Sequence, residues 1–386
     1  ADSVPTLSDN DIVLIGPGTY SENITISKDI TLGSESGTFV GTIITAASAG
    51  KTITVDSDGD GATIQNLTVI YASTQNSSSA AAGAILPDRT SSNDMAITVR
   101  GCSIISNTTG VGYFNDGTII DRCRFYGTGM DANVSKAKGS NYGIVAMGKT
   151  HTITACLFED WGAAGMYLAD VTGNTSAKSC TVVSTGGHST ANAPYFQGGI
   201  WIIGNSGASG PVVANCVVFN GDTDDGQGMK YGFRNQTNST KGTVKNCIAY
   251  DLGPNENMKG DEEFYNFDSL TTGSLYSSAG GGAGATQNPH ALRTQGAITG
   301  SALFDSFALR NYHPDTDNVA YGNGLAILTA SVDLSGSAFN ATPSIGCFEA
   351  VSTGWSAGSK FGVVAVGNIL KVLGVAKGSV SKISGV

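Results

Sequence analysis

Charge is scarce in this chain of 386 residues: Asp, Glu, Lys and Arg together make up 13%, about half the usual share in globular proteins. Long helices draw on Ala, Leu, Glu, Lys and Arg, so a chain rich instead in Gly, Ser, Thr and Asn is not a helical bundle or coiled coil. No apolar run approaches the roughly 20 residues of a membrane-spanning helix, so no membrane span is expected. There are four histidines, His151, His188, His290 and His313, and none stands at metal-ligand spacing. No phosphate-cradling glycine loop leads into a helix-forming stretch. Basic residues are outnumbered, 21 against 31 acids for a net charge of −10, so nucleic acid is not an expected partner. Hydrophobic residues nevertheless reach 40%, enough to build a core, and disorder is excluded.

Glycine is abundant, with 53 residues, but without the strict period of three that collagen needs. The informative repeat is marked by cysteine. Cys102, Cys123, Cys156, Cys180, Cys216 and Cys247 each have an apolar residue three positions before and two after, as in Val99-Arg100-Gly101-Cys102-Ser103-Ile104. Leu67 fills the same slot in Ile64-Gln65-Asn66-Leu67-Thr68-Val69. A step of two is strand alternation, whereas the odd step of three implies a corner between two short strands. The residue before the cysteine slot is Asn66, Asn215 or Asn246 in three copies and Gly101 in another, types that tolerate a left-handed corner.

A second marker alternates with the first: Gly110, Gly143, Gly165, Gly199 and Gly232 each precede a short apolar run, at intervals of 33, 22, 34 and 33 residues. An interval of 22 is one minimal turn of a coil, and the longer ones add an insertion. Short strands stacked at such a period predict an all-β, single-stranded right-handed parallel β-helix with a short C-terminal extension. One cysteine per coil would stack as a ladder of buried, reduced thiols, with Cys347 outside it. Four segments are expected: an N-terminal arm over 1–10, coils over 11–260, terminal coils and a closing segment over 261–350, and a basic repetitive tail over 351–386.

Two stretches resemble a known family. Asp11-Ile12-Val13-Leu14-Ile15-Gly16-Pro17-Gly18-Thr19-Tyr20 is similar to the opening coil of pectate-lyase-like right-handed parallel β-helix proteins. Asp333-Leu334-Ser335-Gly336 with Pro343-Ser344-Ile345-Gly346-Cys347-Phe348-Glu349 resembles the closing motif of choice-of-anchor Q bacterial β-helix proteins, Cys347 being a departure from it. That superfamily holds lyases, hydrolases, esterases, tailspikes, adhesins and inert scaffolds, so the resemblance implies a fold before an activity.

Enzyme signatures of the superfamily do not assemble here. Asp224-Asp225 and Gly187-His188-Ser189 stand in the wrong order for the polygalacturonase pattern, whose Arg-x-Lys is missing, and the Gln-Asp of pectin esterases does not occur. No catalytic residue is therefore nominated. Asp56, Asp58 and Asp60 with Gly61 resemble half of a calcium loop, but the twelfth position is Leu67 rather than Glu. A solvated turn is the plainer reading, calcium the alternative, and no other cofactor is implied.

Insertions at about 127–142, 184–198 and 219–231 should project from one flank of the solenoid. They carry Tyr142, His188, Tyr195, Phe196, Asp222, Asp224, Asp225 and Tyr231. Aromatic faces beside carboxylates suit saccharide binding, and packing against the solenoid wall is the structural alternative. The tail has four lysines and no acid, and Gly367–Val375 matches Gly378–Val386 at an offset of eleven, with Lys360, Lys371 and Lys382 equally spaced. A basic, apolar, repetitive end on an acidic body resembles docking tails of bacteriophage structural proteins; a solenoid cap is the alternative.

The expectation is a non-enzymatic structural or display protein at a virion surface, a fibre, spike or capsid decoration. It would be a homo-oligomer, a homotrimer being the form considered, docked through the tail to other structural proteins and able to take up surface polysaccharide. A polysaccharide-degrading lyase or hydrolase and a secreted or cell-surface bacterial adhesin are the competing readings. The polar start Ala1-Asp2-Ser3-Val4-Pro5 has no signal-peptide core, which fits either a cleaved leader or a cytosolic product trimmed of its initiator Met.

Overall fold

The computed structural model describes residues 7–72, 82–88, 94–115, 117–127, 142–148, 150–171, 175–183, 198–204, 210–219, 231–235, 242–250, 262–265, 275–276, 304–306, 311–314, 322 and 330–349. Among them the chain forms three parallel sheets of nine, ten and nine strands and one antiparallel pair, Phe304–Ser306 with Asn311–Pro314. Each coil contributes one strand to each large sheet, as in Thr98–Arg100, Ser103–Ser106 and Thr109–Phe114. Every strand pairs with its counterparts in the neighbouring coils. The fold is an all-β right-handed parallel β-helix.

The predicted corner lies between the first and second sheets. Asn66, Arg122, Ala155, Ser179, Asn215 and Asn246 all have φ between 50° and 56°, and Gly101 has φ 60°. One left-handed residue at the odd step rotates the chain so that the following cysteine, like the strands on both sides, faces inward. Ala155, Arg122 and Ser179 show that the coil imposes this geometry even where residue type disfavours it.

Behind each corner the cysteine sits between strands rather than within one. All seven cysteines are buried and none is in a disulfide. The Cys102 thiol donates to the carbonyls of Ile64 at 3.6 Å and Arg100 at 3.4 Å, and Cys123 repeats this with Val99 and Asp121 one coil on. Burial pushes the Cys102, Cys156, Cys180 and Cys216 thiols well above their ordinary pKa. Cys347 lies apart, in a separate apolar cluster.

The marker glycines form an in-register column in the third sheet, Gly110–Gly143–Gly165–Gly199–Gly232. Space, not φ, requires them. A Cβ on Gly110 would lie 2.5 Å from the Gly143 carbonyl oxygen, and one on Gly143 would lie 2.5 Å from that of Gly165.

Residues 330–349 fold back over the outer face of the second sheet. Leu334, Ile345, Cys347 and Phe348, with Tyr312, cover Leu157, Val183, Val217, Phe219 and Ile248 there. Hydrogen bonds fasten this strap to the coils: Cys347 N to Thr181 Oγ1 at 3.0 Å, Gly346 N to Asn215 O at 2.9 Å, and Tyr312 Oη to Glu159 Oε1 at 2.8 Å. Buried carboxylates hold its turns. Asp333 accepts from Ser335 Oγ, Ser337 N and Glu349 N, and Glu349 accepts from Asn340 N, Ser344 N and Ser344 Oγ.

Candidate functional site

Alternation in the third sheet turns Val111, Ile144, Met166, Ile200 and Phe233 into the core. Their neighbours face outward and line up as Gly112–Val145–Tyr167–Trp201–Arg234. The Tyr142 ring lies 5.0 Å from that of Tyr167, and Tyr167 meets Trp201 edge-on at 4.9 Å. The Arg234 guanidinium sits 4.6 Å above the Trp201 ring, close enough for cation–π attraction. Tyr113 joins the cluster from a bulge, its φ of 66° uncommon for an aromatic residue. Trp201 and Arg234 are buried, at 2% and 8% exposure, while Tyr113, Tyr167 and Met147 stay half-buried.

Segments 128–141, 184–197 and 220–230 lie outside the described residues, and the strands before and after each belong to the second and third sheets. The aromatic column runs along the third sheet. Of the nominated flank residues, Tyr142 packs against the column at Tyr167 and is 5% exposed. Tyr231 opens the strand Tyr231–Asn235, which pairs with Gly198–Gly204 and Glu262–Tyr265. The side chain of Tyr231 and the whole of His188, Tyr195, Phe196, Asp222, Asp224 and Asp225 lie outside the described residues, as do Lys360, Lys371 and Lys382. Sequence reading missed Tyr167, Trp201 and Arg234. Their signal was present, since each stands two positions after a marker glycine, the outward position of the strand.

Asp56, Asp58 and Asp60 surround a short 3-10 turn, Ser57–Gly59. Asp56 accepts from Asp58 N at 3.0 Å and from the Ser27 hydroxyl, and Asp60 accepts from Ala96 N at 2.8 Å. These bonds tie the turn to neighbouring coils. Among the described residues no group of three His, Cys, Asp or Glu side chains is placed to hold a metal ion, this trio included. His151 is buried with Nε2 against the Met147 carbonyl at 2.7 Å, and His313 Nδ1 lies 2.8 Å from the Glu349 carbonyl, so both serve the fold.

No family model matches the chain, and no curated protein matches it. Solved structures do. Pectate lyase Pel9A superposes with a TM-score of 0.55 at 15% identity, over 89% of each chain. An alginate lyase from Paenibacillus gives 0.40 at 15% identity over 73% of this chain and 90% of its own. The Dettilon tailspike protein gives 0.36 at 12% identity over 74% and 61%. The likeness is one of fold. At these identities the pectate-lyase-like coil architecture is shared and no residue role is carried across.

Proposed function

We propose that this chain is a non-enzymatic display scaffold of a virion surface, a fibre, spike or capsid decoration. In this reading it holds saccharide against the outer face of its third sheet and docks to other structural proteins through residues 351–386. The observation that carries it is the row of packed side chains Tyr142, Tyr167, Trp201 and Arg234 on the outer face of a parallel sheet. Tyr113 and Tyr167, the half-buried aromatics of this cluster, supply apolar ring area for sugars, and the buried Tyr142 and Trp201 pack beside Tyr167. The parallel sheet holds these groups in register without any ligand-induced ordering.

A second reading, a polysaccharide-cleaving enzyme, draws on the shared architecture with a pectate lyase over 89% of both chains. One experiment separates them. The full chain is assayed against neutral and acidic polysaccharides for binding and, in parallel, for new reducing ends or unsaturated products. Binding without turnover supports the display scaffold. Turnover selects the enzyme, and the absence of both overturns the saccharide role of the third sheet.

A further inference from the structure

The first coil is an open end among the described residues. Strands Ile12–Ile15, Gly18–Ser21 and Ile24–Ile26 each terminate their sheet, paired on one side only. The core is correspondingly uncovered there. Val13 and Ile24 are only half-buried, whereas Leu32 and Ile53, their register partners one coil on, are 4% and 0% exposed. Unpaired strand edges above an apolar rung are a template for strand addition.

Charge is segregated along the chain in a matching way. Residues 1–97 contain eleven acids and three basic residues, while residues 351–386 contain four lysines and no acid. The tail is also built in pieces of the right length. Its glycine-bounded repeat carries short runs such as Ile369-Leu370-Lys371-Val372 and Val380-Ser381-Lys382-Ile383, and the first-coil strands are four, four and three residues long.

We propose that the basic tail of one copy adds in extended form to the acidic first coil of a second copy. Main-chain hydrogen bonds would close the open edges, valine and isoleucine would cover the exposed rung, and Lys360, Lys371 and Lys382 would face the acidic groups of the first two coils, Glu22 and Glu35 among them. Each copy then presents one donor and one acceptor, so the contact is heterologous and propagates head to tail. The inference rests on the reading of the tail as a docking element and names its partner. The tail has 36 residues, with a reach of roughly 120 Å when extended, so it is long enough to return to its own first coil. Concentration dependence is the deciding readout.

The test is sedimentation velocity on the full chain across a concentration series at low and high salt, with hydrogen exchange on the same samples. The expected result is mass that rises with concentration and falls with salt, with at least tenfold slower exchange in residues 12–26 as chains associate. Lys360→Glu, Lys371→Glu and Lys382→Glu combined should weaken association at least tenfold, as should Glu22→Lys with Glu35→Lys. Mixing the two variants should restore it, because reversed tails meet reversed coils. Concentration-independent protection of 12–26 would overturn the proposal in favour of closure within one chain, and assembly that survives both reversals would overturn it outright. A tail that becomes protected while 12–26 stay open would sink this partner and leave the docking reading standing. Tail amides that exchange freely under every condition would remove both.

Discussion

Asn246 donates its Nδ2–H to Asn215 Oδ1 at 2.8 Å, and the two residues hold the same left-handed corner, φ 50° and 51°, in successive coils. The pair shows how the solenoid makes one residue type serve two needs. Asn tolerates the backbone that the corner requires, and its amide then bonds to the next copy one rung away. Replacing Asn246 with Ala should cost about 1–3 kcal/mol, from left-handed strain together with the lost hydrogen bond. Asn246→Gly should recover the backbone part. Chemical denaturation of the three proteins measures both contributions.

Gly143 fills a different requirement. Its Cβ would meet the Gly165 carbonyl oxygen at 2.5 Å and Phe158 Cδ1 at 2.6 Å, with backbone on one side and a buried ring on the other. Gly143→Ala should destabilise by about 1–3 kcal/mol or more through overpacking. Gly37, with nothing near its Cβ but φ 68°, should respond instead through backbone strain alone. A lower midpoint for Gly143→Ala than for Gly37→Ala, by thermal melting, is the expected order.

The thiol ladder gives stability a pH signature. The Cys102, Cys156, Cys180 and Cys216 pKa values are raised by burial. Above the ordinary thiol pKa the unfolded chain loses protons that the folded chain keeps, so stability must fall as pH rises. The loss should begin near pH 8.5 and approach about 1.4 kcal/mol per pH unit for each such thiol. Denaturation midpoints between pH 7 and 10 test the slope. With all seven cysteines buried, a thiol reagent should find almost none in the native protein and seven in denaturant.

Asp333 and Glu349 secure the strap. Asp333 is 1% exposed and receives three hydrogen bonds, one of them from Glu349 N at 3.2 Å. Asp333→Ala should release residues 330–349 from the second sheet and leave Leu157, Val217 and Ile248 open to water. Faster hydrogen exchange in those strands, with increased binding of a hydrophobic dye, is the expected result. Unchanged exchange would show that apolar contact alone holds the strap.

Tyr167 is the half-buried member of the aromatic column and contacts both Tyr142 and Trp201. Tyr167→Ala should weaken saccharide binding at least tenfold while the coil stays folded, since the residue faces away from the core. Binding isotherms beside a circular dichroism melt separate the two effects.

Much of this fold is legible in the sequence. The odd step from Val99 to Cys102 implied a corner, Asn and Gly at its apex suited a left-handed backbone, and one cysteine per coil favoured a stacked, reduced ladder over disulfide pairing. These features are local, repeat every coil, and follow from chain geometry alone. What the marker glycines were for was not legible, because the atom each would strike belongs to the next coil. The outward positions of Tyr167, Trp201 and Arg234 were marked by the glycines two places before them, but their contacts were not legible: they lie more than 30 residues apart and become neighbours only once strands stack in register. Leu157, Val217 and Ile248 each follow a marker cysteine, the outward position of their strand. Only tertiary structure decides that they are buried there, by residues 330–349 far along the chain, as the bond from Cys347 to Thr181 shows. Sequence periodicity records which way a side chain points within a strand, whereas the partner that covers it is fixed by long-range packing.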